Sequence, residues 1–167
     1  MFIVVMGVTG SGKSSIGKLL ADRLDLPFYD ADDFHSAENR AKMAADEPLE
    51  DTDRWPWLRL LAQLSLQWEA QGGAVLACSA LKQSYRDLLF ELVANHRVVF
   101  LELSRSAAES RLEGRRGRHH FVGDFDHLLD GQFRDLELPR DALTISAELS
   151  RSEIVEHAAA VLLNASP

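Results

Sequence analysis

Short apolar runs alternate along the chain with longer stretches whose apolar positions recur every three or four residues. Phe2-Ile3-Val4-Val5-Met6 contains no polar residue, which predicts a short strand buried on both faces. Ile16, Leu19, Leu20 and Leu24 follow at helical spacing, and Pro27-Phe28-Tyr29 predicts a brief second strand. Trp57, Leu60, Leu61, Leu64 and Trp68 form a wide helical stripe. Gly72-Gly73 ends it, because glycine accepts the left-handed cap without steric cost. Ala74 to Cys78 predicts a third strand, Leu81, Tyr85, Leu88, Leu89 and Leu92 another helical face, and Arg97 to Leu103 a fourth strand. Helices are expected over Ala107 to Leu112 and around Phe125, Leu128, Leu129, Phe133 and Leu136. Leu143-Thr144-Ile145 predicts a fifth strand, and Ser150 with Glu153 makes a capping box for a last helix through Leu163. Strands separated by helices imply parallel βαβ units, so the expected class is α/β, with a five-stranded parallel sheet flanked by helices. Ligands bind beyond the carboxyl ends of strands in such sheets, which points to the loops after Met6, Tyr29, Cys78 and Leu103.

Composition narrows the functions this frame can serve. A chain of 167 residues fits a single domain, expected to span 1–167. Lys and Arg total 18 against 26 Asp and Glu, a net charge of −8, which disfavours nucleic acid as a partner. Any anionic ligand must therefore find a local basic site. Cys78 is the only cysteine, which excludes an intrachain disulfide and a cysteine-based zinc site. No apolar run approaches the roughly 20 residues that cross a bilayer, and Phe2 to Met6 is too short for a signal segment. No membrane partner and a cytoplasmic location are expected.

Gly7-Val8-Thr9-Gly10-Ser11-Gly12-Lys13-Ser14 matches G-x-x-x-x-G-K-[ST], between a predicted buried strand and a predicted amphipathic helix. This is the pattern of the P-loop NTPase fold. Its backbone N–H groups, with the N-terminus of the following helix, form a cradle for polyphosphate. Lys13 is expected to neutralise the β- and γ-phosphates and Ser14 to ligate Mg²⁺, with Ser15 beside them at the nucleotide, ATP. An N-K-x-D guanine reader is absent, and the third strand ends in Cys78-Ser79 rather than in the acidic residue of a motor ATPase. A small-molecule kinase remains the best fit.

Asp30-Ala31-Asp32-Asp33 follows the second strand. Read as extended chain, it projects Asp30 and Asp32 together toward the phosphates. Phosphoryl transfer to an alcohol needs a carboxylate near Mg²⁺, assigned to Asp30, and one that orients the hydroxyl and accepts its proton, assigned to Asp32. Arg111-Leu112-Glu113-Gly114-Arg115-Arg116-Gly117-Arg118 is a cationic exception in an acidic chain. Its glycines suit a mobile lid, expected over about 114–124. Arg111 and Arg115 are the candidates for reaching the phosphates, Arg115 as a catalytic group. His35, Arg54, Ser79, Lys82 and Arg86 cluster as candidates around one acceptor pocket, where Arg54 suits paired hydrogen bonds to a substrate carboxylate. Lys42, Asp51 and Asp53 are expected to be solvated.

These segments together resemble the gluconate kinases (gluconokinases), relatives of the shikimate and adenylate kinases. The resemblance runs from Gly7 to about Pro139. It is carried by GVTGSGKS, DADDFH at Asp30 to His35 and N-x-x-K-M at Asn39 to Met43. It continues in EPLEDTDRWPWL at Glu47 to Leu58, CSALKQSYRDLL at Cys78 to Leu89, SRLEGRRGRHHF, and the Gln132-Phe133 pair. It implies ATP-dependent phosphorylation of D-gluconate at its terminal hydroxyl, and commonly a homodimer. It puts Asp32, Arg54, Ser79 and Lys82 on the gluconate side, with His35 and Arg86. Departures fall at Ala31, at Ser36, in a longer lid tip around Arg118-His119-His120, and at Gly131. Two rivals stay open: a kinase of the same fold acting on another small anionic acceptor, and a nucleotide-binding regulator with no acceptor.

Overall fold

The computed structural model describes residues 1–45, 47–114 and 125–164. The expected lid tip, with Arg115, lies outside them. Five parallel strands, β1 (Phe2–Met6), β2 (Phe28–Asp30), β3 (Ala74–Ala77), β4 (His96–Glu102) and β5 (Leu143–Ser146), form one sheet in the order β2-β3-β1-β4-β5. The helices are α1 (Lys13–Leu24), α2 (Ala37–Ala44), α3 (Asp51–Ala70), α4 (Gln83–Phe90), α5 (Arg105–Glu113), α6 (Phe125–Asp135) and α7 (Arg151–Asn164). None among the described residues is long and apolar enough to cross a membrane.

The unbroken apolar run of β1 is explained by cover on both faces. Successive side chains of a strand point to opposite faces. Ile3 and Val5 join one core with Ile16, Leu20, Leu101, Leu129, Ile154 and Ala158, beneath α1, α5, α6 and α7. Phe2, Val4 and Met6 join a second core with Trp57, Leu58, Leu61, Trp68 and Leu89, beneath α3 and α4. Tyr29 stacks on Trp68 with ring centroids 4.2 Å apart, closing that layer at the β2 edge.

The predicted elements are present, with shifts at their ends. The capping box of α7 is formed: Ser150 N–H donates to Glu153 Oε2 at 2.9 Å, and Glu153 N–H to Ser150 Oγ at 3.3 Å. Helix α3 begins at Asp51, ahead of the Trp57-led stripe, because Asp53 accepts from Glu50 N–H at 3.0 Å and satisfies a first-turn donor. One expectation changes in kind. The chain after β2 is not extended: Ala31–Phe34 is a turn of 3-10 helix. Asp30 caps it, its Oδ1 accepting from Asp32 N–H at 3.2 Å. Trp57, 6% exposed, donates from Nε1 to Ala31 O at 2.9 Å and holds the turn against α3.

Replacing Trp57 with Phe keeps most of the apolar volume but orphans the Ala31 carbonyl. The substitution should cost about 1–3 kcal/mol of unfolding free energy. Urea denaturation checks this, and an unchanged midpoint would show that the turn is held by other contacts.

Candidate nucleotide and acceptor site

Gly7 leaves β1 at φ 149°, where an added Cβ would lie 2.7 Å from Leu101 O and 2.8 Å from Ser11 Oγ. Only a residue without a side chain lets the loop turn this close to β4. Gly12 then caps α1 in the left-handed region at φ 94°, ψ 18°, making no side-chain cap bond, and the helix has no acidic residue in its first turn. The positive end of a 12-residue helix is thus left open toward the loop. Lys13 Nζ donates to Val8 O at 3.1 Å, folding back across the same loop. The arrangement provides convergent main-chain donors and one ammonium, which suits a polyphosphate.

The sheet order puts different chemistry on either side of β1. Toward β5, Arg111 donates from Nη1 to Gly10 O at 3.0 Å and from Nη2 to Ala147 O at 2.5 Å. This ties the end of α5 and the β5–α7 loop to the phosphate loop. Between them lies a cavity of about 390 Å³ lined by Gly12, Ser15, Arg111, Ala147, Leu149 and Ser150, among others. Arg111 was expected from the sequence, but the β5–α7 residues carried no chemical signal and were missed.

Toward β2, Ser14 Oγ donates to Asp30 Oδ2 at 2.6 Å, so the two expected metal-site residues meet. They offer hard oxygen donors. Among the described residues no cluster of three or more His, Cys, Asp and Glu could hold a metal by itself. Asp32 stands next on the 3-10 turn, its side chain 73% exposed at the mouth of the site. The surrounding protein, and then Asp30, push its pKa above the ordinary aspartate value, while Lys13 and Arg54 oppose the rise.

His35 is buried, stacked 4.3 Å from the Trp57 ring. Burial, then the charges of Arg54 and Arg40, lower its pKa to about 4, so it is neutral at neutral pH. Asn39 Nδ2 donates to Asp53 O at 3.0 Å and faces His35 Nδ1 at 3.4 Å, which makes Nδ1 the acceptor. The proton then sits on Nε2, 3.9 Å from Asp32 Oδ1. Arg54 directs Nε and Nη2 to Leu49 O at 3.2 and 3.1 Å, and its guanidinium lies 5.8 Å from the Tyr85 ring centre. Asp51 is not merely solvated. Its Oδ1 accepts from Lys82 Nζ at 2.7 Å and from the Tyr85 hydroxyl, and these bonds hold its pKa low and raise that of Lys82. Asp53 likewise binds Lys42 Nζ at 2.7 and 2.8 Å.

Ser79 is half-buried where β3 ends, just before Ala80, whose φ of 41° is unusual for a residue with a Cβ. Arg86 explains how that loop is held, and its place differs from the one expected. It is 3% exposed, with Nη1 donating to Ala80 O and Leu81 O, both at 2.8 Å. Its Nη2 donates to Gln83 Oε1 at 2.8 Å and Glu137 O at 2.9 Å. Both terminal nitrogens of Arg86 are engaged in building the β3–α4 loop, which leaves them no role in contacting an acceptor. Cys78 is fully buried and its thiol is pushed up to about 12 by that burial, so it is no nucleophile.

A phosphate-binding loop on the central strand, a serine–aspartate pair beside it and a second aspartate on the acceptor side define a P-loop kinase for small molecules. Comparison with known proteins narrows the class. The shikimate kinase family model matches residues 9–162. A probable gluconokinase of Mus musculus is 43% identical, covering 91% of this chain and 92% of its own length. The thermoresistant gluconokinase of Escherichia coli K12 is 40% identical over 81% of this chain and 76% of its own. A crystal structure of a gluconokinase from Sinorhizobium meliloti 1021 superposes with a TM-score of 0.85 at 38% identity, over 97% of this chain and 91% of that one. The chain belongs to the gluconokinase family, within the shikimate kinase-like group.

Arg86→Met should lower stability by about 3 kcal/mol or more, since hydrogen bonds from a charged group are worth about 1.5–3 kcal/mol each. Urea denaturation tests it. A variant as stable as the parent would remove Arg86 from the scaffold and return it to the acceptor site.

Proposed function

We propose that this chain transfers the γ-phosphoryl group of ATP to the terminal hydroxyl of D-gluconate, giving ADP and 6-phosphogluconate. The meeting of Ser14 with Asp30 beside the phosphate loop, with Asp32 next on the acceptor side, carries the reading. The gluconokinase relatives supply the acceptor's identity. The base of ATP enters the cavity beside Arg111, and its phosphates lie along Gly7 to Ser15 with Lys13 on the β- and γ-phosphates. Ser14 and Asp30 would hold Mg²⁺, which when bound neutralises charge developing between the β- and γ-phosphates.

Gluconate is a carboxylate joined to a chain of hydroxyls, and the acceptor side carries matching groups. Arg54 keeps Nη1 without a hydrogen bond among the described residues and takes the carboxylate. Lys82, Ser79 and His35 Nε2–H face the hydroxyls. Asp32 orients the terminal hydroxyl and accepts its proton as the oxygen bonds to the γ-phosphorus and ADP departs. His35 is neutral, so it can donate a hydrogen bond without cancelling the charge of Asp32. Arg115 is proposed to bring a cation to the transferring group as residues 114–124 close. The rate gain comes mainly from positioning and charge neutralisation. We further propose that residues 1–167 act as one domain, in the cytoplasm, as a homodimer.

An ADP-release assay over gluconate, other sugar acids, shikimate and nucleosides tests the reading: gluconate should be the preferred acceptor. Turnover with another acceptor and none with gluconate would overturn it. Asp32→Asn should reduce kcat by about 10²–10⁴-fold with ATP binding retained. Because Asp32 must be ionised to accept the proton, activity falls as pH drops through its raised pKa. The acid limb of kcat/KM should therefore lie above 3.8, the ordinary aspartate value. Arg54→Ala should raise KM for gluconate by about 10–100-fold with little change in KM for ATP; equal effects on both would reject Arg54 as the carboxylate partner.

A further inference from the structure

Thr9 lies inside the phosphate loop, yet its polar groups are engaged by a residue 123 positions away. Thr9 N–H donates to Gln132 Oε1 at 2.6 Å, and Gln132 Nε2 donates to Thr9 Oγ1 at 2.9 Å. One primary amide thus satisfies a main-chain donor and a side-chain acceptor of the same loop residue. From this pairing we propose that Gln132 is a positioning residue for ATP, holding the Thr9–Gly10 stretch of the loop in its phosphate-binding shape. The inference rests on Gly7–Ser14 being the nucleotide cradle.

A clamp fixes a loop only if its own anchor is rigid. Helix α6, which carries Gln132, is anchored from Leu129 onward. Leu129 is fully buried in the core shared by α1, α5 and α7. Asp130 accepts from Arg105 Nη1, tying α6 to α5. Just beyond the helix, Glu137 N–H donates to Leu81 O at 3.0 Å, and Glu137 Oε2 accepts from Gln83 N–H at 2.6 Å. Glu137 O accepts from Arg86 Nη2 at 2.9 Å. Helix α6 therefore bridges the phosphate loop and the β3–α4 loop that carries Lys82. The phosphate loop turns on glycines; Arg111 holds it at the Gly10 carbonyl, and Gln132 holds it at Thr9. A loop already fixed in its binding shape avoids the ordering cost that a loose loop meets on binding its ligand.

The test is equilibrium titration with Mg·ATP and no acceptor, run on Gln132→Met, Thr9→Val and the double variant, with thermal melting alongside. Gln132→Met should weaken ATP by about 10-fold and Thr9→Val by less, since its N–H still reaches Gln132 Oε1. The double variant should be no worse than Gln132→Met alone, because both changes remove one shared interaction. In turnover, KM for ATP should rise with KM for gluconate changed less than about two-fold. An ATP affinity within two-fold of the parent for Gln132→Met, or fully additive losses in the double variant, would overturn the proposal. Should Gln132→Met fail to fold, Thr9→Val decides: unchanged ATP affinity there would reject the clamp. Since the titration contains no acceptor, a failure of the gluconate reading leaves this result standing, and the converse also holds.

Discussion

One electrostatic constraint underlies the rest of the site. Helix α1 starts on a left-handed glycine that makes no side-chain cap, with no acidic residue in the helix's first turn, so its positive end faces the loop. Such an end is stable beside an anion and poorly matched to anything else. Gly7 brings that loop hard against β4, within reach of Leu101 O, so the cradle is fixed to the middle strand of the sheet. The parallel sheet then distributes the remaining chemistry. Strands β4 and β5 lie on one side of β1 and deliver Arg111 and the β5–α7 loop. Strands β3 and β2 lie on the other and deliver Lys82, Asp30 and Asp32. On the proposed reading, a donor and an acceptor placed at opposite sides of one phosphate loop would meet over its centre.

Much of what looks like acceptor chemistry is scaffolding, and the scaffolding explains the precision of the rest. Arg86 is buried with its terminal nitrogens on main-chain carbonyls and a glutamine, and it supports an alanine in an unusual backbone region. Trp57 supports the turn that carries Asp32 while its ring stacks on His35. Asn39 orders the imidazole so that its proton faces the Asp32 carboxylate. His35 and the turn that carries Asp32 are thus both backed by Trp57, a buried residue of α3, the kind of support that precise orientation requires.

What could be read from the sequence followed the range of the interaction. The β1 strand, the α7 capping box and the phosphate loop are local patterns, and each was legible. Asp30 does meet Ser14 beside the phosphate loop, with Asp32 two residues on, but the turn that joins them was not foreseen. The turn is held both by the Asp30 cap and by a tryptophan 26 positions on, which no local pattern reveals. Arg86 reads like a ligand residue in sequence because burial leaves no local mark on an arginine. Asp51 was expected to be solvated, and Gln132 entered only as part of the Gln132-Phe133 pair, because their partners lie 31 to 34 and 123 residues away. Hydrogen bonds at such separations are products of the fold and have no periodicity to reveal them.

The most direct measurement is a crystal structure with Mg²⁺, a non-hydrolysable ATP analogue and gluconate bound together. The account predicts the triphosphate along Gly7 to Ser14, with the terminal hydroxyl of gluconate about 2.6–3.2 Å from the Asp32 carboxylate. A triphosphate seated elsewhere, or a sugar acid whose terminal hydroxyl points away from Asp32, would contradict it.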